Sequence, residues 1–383
     1  MKKSFGVGEA GCASDAQPGL SIVGDVELCD LETGYFIETV SRLKRALSCL
    51  RNKTSLDVLL FSKRPEYFCA EDLIEGPNST IKSIQFVSDE RELLALKRTF
   101  DLAIICTHIK GEHKAQVIIR GRKFAPVLVA WTWDNHIDPY SNLRFSALSD
   151  IILPTHKYCA DLLKTPHAVV GENFPHCTCQ WSRPLAAKLL EASISNSRSD
   201  SLYGGYVSWP IGQRNTLLRS LKGELPLNAI TLIGPATRES YFRMSSEDKF
   251  KQWASYKVSV AIPLMNDLSM RVFDALIAGQ VPLVPESCYD LDAVIPAEIQ
   301  ASLPIIRFEE MSVSAIAKAW HTAVRRYDEL GTEGVYKRHA FARDYHHISV
   351  RLGQIARYVL KLADDVSRIT VVIDEEGVGL LSF

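Results

Sequence analysis

The chain has 383 residues, of which 46% are hydrophobic and 23% are charged. These fractions are typical of folded globular proteins and exclude a disordered or low-complexity chain. Lysine and arginine number 44 against 45 aspartate and glutamate, a net charge of -1. Without a basic excess we expect no nucleic-acid partner. The longest apolar stretches, such as Val258–Met265, are far shorter than the roughly 18 residues of a membrane-spanning helix.

The amino-terminal residues predict neither a targeting signal nor a cofactor site. Met1–Gly6 is charged but is not followed by an apolar core, so it does not resemble a secretory signal peptide. Gly6, Gly8 and Gly11 match G-x-G-x-x-G, but no strand precedes them as a dinucleotide site requires. We therefore expect residues 1–19 to be a flexible leader. Nine cysteines, an odd number scattered along the chain, favour reduced thiols and a cytoplasmic location.

The first half of the chain alternates between strand-like and helix-like segments. Short apolar runs predict strands over 20–23, 56–62, 81–86, 101–106, 127–131 and 150–154. Apolar residues at three- and four-residue steps, or charged runs, predict helices over 35–50, 90–99 and 157–164. Strands without polar alternation, each followed by a helix, indicate a parallel sheet covered on both faces. We expect this domain to span 20–184.

An irregular segment is expected over 169–184 and a linker over 185–201, which consists of a helix over 185–192 and a polar stretch over 193–201. A second series of the same kind follows. Strands are expected over 202–208, 229–234, 257–263, 281–285 and 304–308, and helices over 213–221, 246–256, 270–278, 313–330 and 348–363. We expect the second domain to span 202–345, and a closing helix with two terminal strands to span 346–383. The fold class is therefore α/β, with two Rossmann-like domains facing a cleft in which ligands bind.

The most informative stretch runs from Asn266 to Val284. It predicts a polar loop, a short helix capped by Ser269 or Asp267, and then a buried strand. The amino end of a helix attracts anions, and Arg271 in the first turn adds a cation that can bind phosphate at two oxygens. Asp274, one turn further, is placed to accept hydrogen bonds from a ribose diol. The alternative is an ordinary capped helix with a surface pair of Arg271 and Asp274.

This stretch resembles the donor-site segment of GT-B glycosyltransferases, especially bacterial family-1-like and CgeB-like members with the pattern S-x-R-x-F-E-A-L-A-x-G-x-x-L. The matching residues are Ser269, Arg271, Phe273, Ala275, Leu276, Ala278 and Gly279. Asp274 replaces the usual glutamate, and Asn266 stands where retaining members often carry another, so a retaining mechanism of that style is not supported. Segments 202–214, 230–234 and 344–351 resemble other parts of these proteins.

The resemblance implies the GT-B fold and transfer of a sugar from a nucleotide-sugar donor to a saccharide or glycolipid acceptor, with no further cofactor. The donor-binding candidates are Arg214, Gly234, Asn266, Ser269, Arg271 and Asp274. No Asp-x-Asp motif is conspicuous, so we expect no metal. Two other functions stay open. One is a GT-B-like binding or scaffold subunit that has lost catalysis, and the other is a sugar-nucleotide epimerase.

Acceptor-side chemistry is expected at the carboxyl end of the strand over 127–130. Asp134 and His136 follow this strand and are the candidate bases, since inversion requires a group that takes the acceptor's proton. Trp133 offers a flat surface for sugar packing, and His108 and His156 are further acceptor-side candidates. The alternative for this stretch is a helix-initiating Asp134 with tryptophans in the core.

Two further partners stay open on the sequence. Lys337, Arg338, Arg343 and Arg351 form a late basic cluster that would suit a phosphate or a membrane surface in peripheral association. A solvated helix surface is the alternative. The terminal strands over 369–383 would suit pairing with a second copy of the chain in a homo-oligomer.

Overall fold

The computed structural model describes residues 22–23, 30–62, 79–106, 118–119, 124–133, 139–156, 168–209, 212–373 and 379–382. These residues form two α/β units. The elements of the first unit before the chain crosses to the second are β1 (Ile22–Val23), α1 (Asp30–Ser48), β2 (Leu56–Phe61), β3 (Ile81–Val87), α2 (Glu90–Ala95), β4 (Leu102–Cys106), β5 (Val127–Thr132), α3 (Pro139–Ser146), β6 (Ile151–Pro154) and β7 (Val169–Val170).

The second unit follows in one continuous run, and the chain then returns to the first. The second unit consists of α4 (Arg183–Ser193), β8 (Ser199–Val207), α5 (Arg214–Glu224), β9 (Asn228–Ile233), α6 (Pro235–Arg243), α7 (Ser246–Ala254), β10 (Tyr256–Val260), α8 (Met270–Ile277), β11 (Val281–Pro285), α9 (Leu291–Val294), α10 (Ala297–Ser302), β12 (Ile306–Phe308) and α11 (Val313–Tyr345). The returning elements are α12 (Ile348–Asp364), β13 (Thr370–Ile373) and β14 (Gly379–Ser382).

The sheet of the first unit has the order β1-β13-β14-β7-β6-β5-β4-β2-β3. From β14 to β3 every neighbouring pair is parallel, whereas β13 is antiparallel to β14. Every residue of β4 and β5 is buried, because both strands are apolar except for Thr132 and are covered by side chains on both faces. The predicted parallel sheet, covered on both faces, is confirmed.

The sheet of the second unit has the order β12-β11-β10-β8-β9 and is parallel throughout. One side of this sheet packs against α5 and the first part of α11, through Leu218 and Ile316. The other packs against α4, α7 and α8, through Leu190 and Phe273. Two parallel-sheet α/β units, with the last helix returned to the first, form the GT-B arrangement, so the predicted fold class is confirmed.

The chain crosses between the units twice, and the two crossings are hydrogen-bonded to each other. The first crossing lies between β7 and α4, and the second between α11 and α12. The Thr178 amide donates to the His346 carbonyl at 2.9 Å, and the Ile348 amide donates to the Thr178 carbonyl at 2.9 Å. Helix α12 then packs into the core of the first unit through Leu352 and Ile355.

Three sequence expectations differ from the structure. The helix expected over 185–192 is present as α4, but it packs in the core of the second unit, and β8 begins within the polar stretch that was expected to complete the linker. The terminal strands β13 and β14 pair with each other as expected, but β14 also pairs with β7 of this chain. In the basic cluster, Arg338 and Arg351 are buried, so these two arginines do not belong to a basic surface.

Candidate functional site

The loops that leave the second sheet at its carboxyl edge meet one another. Gly212, after β8, has a positive φ of 70°, and a Cβ there would lie 3.4 Å from the Leu264 carbonyl oxygen of the loop after β10. Asn266 in that loop accepts a hydrogen bond at its carbonyl from the Tyr289 amide, 2.7 Å away in the loop after β11. Carboxyl ends of parallel strands share one edge, so these loops border one region.

Helix α8 begins at this edge, as the sequence predicts. Ser269 is its N-cap in extended conformation, and its side chain accepts from the Arg271 amide at 3.4 Å. Met270, the first helical residue, packs against the core of the first unit, as Trp133 does. The amino end of α8 therefore lies at the boundary between the two units.

Two predicted donor-site arginines share one aromatic ring. The guanidinium carbon of Arg271 lies 4.1 Å from the ring centre of Tyr206, and that of Arg214 lies 5.3 Å from the same centre. Arg214 also donates from Nη2 to the Val207 carbonyl at 3.1 Å. Within the described part of the chain, the Arg271 guanidinium has no hydrogen-bond or ion-pair acceptor. Tyr206 is a residue that the sequence analysis missed.

Asp274 is buried at the boundary between the units, at 1% exposure. Its Oδ1 accepts from the Thr178 hydroxyl at 2.8 Å, and its Oδ2 accepts from the side-chain Nε2 of Gln180 at 2.5 Å. Burial raises the pKa of Asp274 to about 6, against the opposing effects of the two hydrogen bonds and of Arg271. Both carboxylate oxygens thus bind the first crossing segment.

The other two donor-side candidates lie on the same edge. Asn266 has a positive φ of 61°, a conformation that non-glycine residues adopt mainly at turns and functional sites. Its Oδ1 accepts from the Ser287 hydroxyl at 3.1 Å. Gly234 is the N-cap of α6, and a Cβ at this glycine would meet no atom within 4 Å.

Aromatic and histidine side chains gather at the carboxyl edge of the first sheet. Trp133 follows β5, and its ring centre lies 5.2 Å from that of His176. His156, two residues after β6, lies 5.0 Å from His176 by the same measure and is buried. The structure therefore brings the candidates Trp133 and His156 together around His176. His108, Asp134 and His136 lie outside the described residues.

The crossing segments contain buried titratable groups whose charged forms are disfavoured. Burial lowers the pKa of His347 to about 4 and that of His346 to about 3. Nδ1 of His347 accepts from the Ser349 amide at 3.2 Å, so its Nε2 donates to the Trp181 carbonyl at 2.8 Å. Burial also raises the pKa of the Cys177 thiol to about 12. These groups are neutral near pH 7 and act as structural contacts.

Three residues of this region were not predicted from the sequence, and only Tyr206 has a local pattern that could have revealed it. Tyr206 lies near the end of a predicted strand, just before a polar loop. Residues in such positions border the ligand region of a parallel sheet, so Tyr206 could have been named as a site residue. Thr178 and His176 lie in an irregular segment, and Thr178 contacts a residue 96 positions away. No local sequence pattern predicts the contacts of these two residues.

No group of three or more His, Cys, Asp or Glu side chains in the described part of the chain is arranged to hold a metal ion. No helix in that part is long and apolar enough to span a bilayer.

Comparison with known proteins finds likeness in structure alone. No family model and no curated protein matches the sequence. The catalytic domain of starch synthase IV from Arabidopsis thaliana, solved with ADP and acarbose, is 11% identical, with 72% of this chain and 75% of that chain covered and a TM-score of 0.44. Sucrose-phosphate synthase from Thermosynechococcus elongatus is 11% identical, with 68% and 74% covered and a TM-score of 0.42.

A third similar structure is the UDP-GlcNAc 2-epimerase from Neisseria meningitidis bound to UDP-GlcNAc. It is 13% identical, with 79% of this chain and 99% of that chain covered and a TM-score of 0.41. At such identities and scores these are similarities of fold. The fold assignment rests on the sheet orders and crossings described above.

Proposed function

We propose that this protein is a glycosyltransferase that moves a sugar from a nucleotide-activated donor to a saccharide or glycolipid acceptor without a bound metal. The amino end of α8 supports this proposal most directly. There Ser269 caps the helix, and Arg271 stands at the carboxyl edge of the second sheet. Unpaired N–H groups at a helix amino end favour anions, and a guanidinium binds phosphate at two oxygens. We assign this end of α8 to the donor phosphates.

The proposed chemistry needs two kinds of group. Negative charge grows on the leaving nucleoside diphosphate, and Arg271 and Arg214 would stabilise it. A base would take the proton of the acceptor hydroxyl. Asp134 and His136 are our candidates because in the sequence they come one and three residues after Trp133, which follows β5. Met270 in contact with the core of the first unit supports a donor site that borders this acceptor side.

Asp274 was expected to bind the ribose of the donor, but in this proposal it has a structural role. With both carboxylate oxygens bonded to Thr178 and Gln180, we assign it to hold α8 against the first crossing segment. Contacts with the ribose would then come from other groups on the loops, among which Asn266 and the region of Gly234 are candidates.

Calorimetry with UDP, ADP, GDP, CDP and dTDP tests the donor site. We expect wild-type protein to bind one of these nucleotides and Arg271→Ala to bind it about tenfold more weakly or worse, the order expected of a charged hydrogen bond. Arg219→Ala, an exposed arginine on α5, is the matched control and should bind as wild type does. Equal binding by wild type and Arg271→Ala would remove the donor site.

Turnover separates glycosyl transfer from the other two functions. Incubation with nucleotide sugars, with and without saccharide acceptors, followed by mass spectrometry, should show donor consumption that depends on an acceptor. Asp134→Asn and His136→Asn, tested separately, should show which side chain is the base. Conversion of the donor without an acceptor would instead identify an epimerase. Nucleotide binding without any turnover would identify a catalytically inactive binding subunit.

A further inference from the structure

Tyr206 is a buried aromatic residue at the edge of the second sheet where the proposed donor phosphates bind. It is the second-to-last residue of β8, yet it is fully buried. Two guanidiniums lie against its ring, that of Arg271 at 4.1 Å and that of Arg214 at 5.3 Å from the ring centre. Cations this close to an aromatic ring are attracted by its negative π-surface.

The ring itself is fixed by its hydroxyl group. The Tyr206 hydroxyl donates to the Val260 carbonyl and accepts from the Ile262 amide at 2.9 Å. Burial raises the pKa of Tyr206 although Arg271 and Arg214 oppose the shift, so the hydroxyl keeps the proton that it donates. Tyr206 therefore connects the end of β8 to the loop after β10, which leads to Ser269.

The guanidiniums of Arg214 and Arg271 carry the same charge and repel each other. Their guanidinium carbons are at most about 9.4 Å apart, because one lies 5.3 Å and the other 4.1 Å from the same ring centre. Repulsion would drive the pair apart in an open loop, whereas a shared ring attracts both. The two arginines come from different helices, α5 and α8, and both contact Tyr206.

We infer that Tyr206 is a positioning residue that holds Arg214 and Arg271 as a two-cation site, which selects a nucleoside diphosphate over the corresponding monophosphate. This inference rests on the proposed function, because it takes the two arginines as phosphate ligands. One guanidinium pairs well with one phosphate group. A fixed pair of guanidiniums therefore favours a ligand with two phosphate groups.

The experiment measures the affinity ratio between the best-bound nucleoside diphosphate of the calorimetry panel and its monophosphate. Tyr206→Leu removes the ring and should reduce this ratio about tenfold, mainly through weaker diphosphate binding. Tyr206→Phe keeps the ring and should hold the ratio within about threefold of wild type. Melting temperatures and circular dichroism establish that each variant is folded. Loss of general stability would weaken both nucleotides alike and leave the ratio unchanged.

Arg271→Lys is the second variant, needed if Tyr206→Leu does not fold. It keeps the charge but loses the planar group that packs on the ring, and it should also reduce the ratio about tenfold. An unchanged affinity ratio in folded Tyr206→Leu would overturn the inference. An affinity ratio equal to that of wild type in Arg271→Lys would also overturn it. Equal losses in Tyr206→Leu and Tyr206→Phe would also overturn it, because the hydroxyl rather than the ring would then be responsible. If Arg271→Ala binds the diphosphate as tightly as wild type does, the proposed donor site itself fails.

Discussion

The hydroxyl of Thr178 donates a hydrogen bond of 2.8 Å to the carboxylate of Asp274. Thr178 lies on the first crossing segment, which is itself hydrogen-bonded to the second crossing at His346 and Ile348. Asp274 lies in the middle of α8, whose amino end is the proposed phosphate site. One buried carboxylate thus joins the helix of the proposed site to both connections between the units.

Replacing Asp274 should alter how stability depends on pH. Its pKa of about 6 lies above the ordinary value of 3.8, so the folded protein keeps this proton to a higher pH than the unfolded chain does. The carboxyl therefore favours the folded state most below pH 4, and this contribution declines as the pH rises through 6. A shift of this size corresponds to roughly 3 kcal/mol. In Asp274→Asn that decline should be absent.

Urea unfolding of wild type and Asp274→Asn at pH 4.5 and pH 7 measures the effect. The free energy of unfolding of Asp274→Asn, relative to that of wild type, should be higher at pH 7 than at pH 4.5. Asp364→Asn, at an exposed aspartate of α12, is the control and should follow wild type. Parallel pH profiles of wild type and Asp274→Asn would contradict the prediction.

His347 should contribute a pH dependence of the opposite sign. Burial lowers its pKa from 6.5 to about 4, so the unfolded chain takes up this proton at a higher pH than the folded protein. The neutral ring stabilises the fold fully above pH 6.5, and this stabilisation is lost as the pH falls towards 4. His347→Asn keeps an oxygen that can cap α12 at the Ser349 amide but does not titrate. It should therefore lose less stability on acidification than wild type.

Thermal unfolding at pH 7 and pH 4.5 compares the two proteins. His321→Asn, at an exposed histidine of α11, serves as the reference and should show the acid sensitivity of wild type. The prediction would be wrong if His347→Asn lost as much melting temperature in acid as His321→Asn does.

The carboxyl end of α8 should depend on a buried arginine. Arg338 is fully buried and donates to the Gly279 carbonyl at 3.0 Å and to the Leu303 carbonyl at 3.2 Å. Arg338→Ala leaves these carbonyls without their donor and removes a large packed side chain. We expect the free energy of unfolding to fall by roughly 3 kcal/mol. Arg325→Ala on the exposed side of the same helix should change it by about 0.5 kcal/mol or less, and equal effects in urea unfolding would refute the prediction.

Gly279 should not tolerate a side chain. Its φ is +78°, and a Cβ would lie 2.5 Å from Cγ1 of Val335 on α11. Gly279→Ala therefore combines backbone strain with overpacking, and we expect a loss of roughly 2 to 4 kcal/mol. Gly223→Ala in α5, where a Cβ meets nothing within 4 Å, should instead stabilise by about 0.5 kcal/mol. Melting temperatures that shift in the same direction would contradict this pair of expectations.

Most strands were predictable because they contain short apolar runs, and β4, β5 and β11 are buried throughout. Strand β7 was not predicted, because its two residues lie in the segment that was expected to be irregular. Strand β11 has the predicted bounds, and most others differ by one or two residues. The long helix α11 shows a limit of this approach. Prediction ended it at 330, and Gly331 there is indeed non-helical, with φ 51° and ψ -144°. Helical residues resume after it up to Tyr345, because packing of Val335 and Ala342 against the second core stabilises a further segment.

The site was predictable only where its residues are neighbours in sequence. The cap at Ser269 and the helix behind it follow from local spacing. The burial of Asp274 and the contact of Arg271 with Tyr206 depend on which strands and segments lie beside α8. These are long-range contacts, and they cannot be inferred from the spacing of residues along the sequence. For the same reason Arg338 and Arg351, charged residues in an amphipathic pattern, were expected on a surface and are buried against backbone and side chains of other elements.

The return of α12 to the first unit bears on how the protein is made. On the ribosome, residues 183–345 supply every strand of the second sheet, so this unit can complete its core early. The first unit must wait for α12, whose Leu352 and Ile355 fill its core. A nascent chain arrested with residue 345 just outside the ribosome should therefore show a protease-resistant second unit and a cleavable first one.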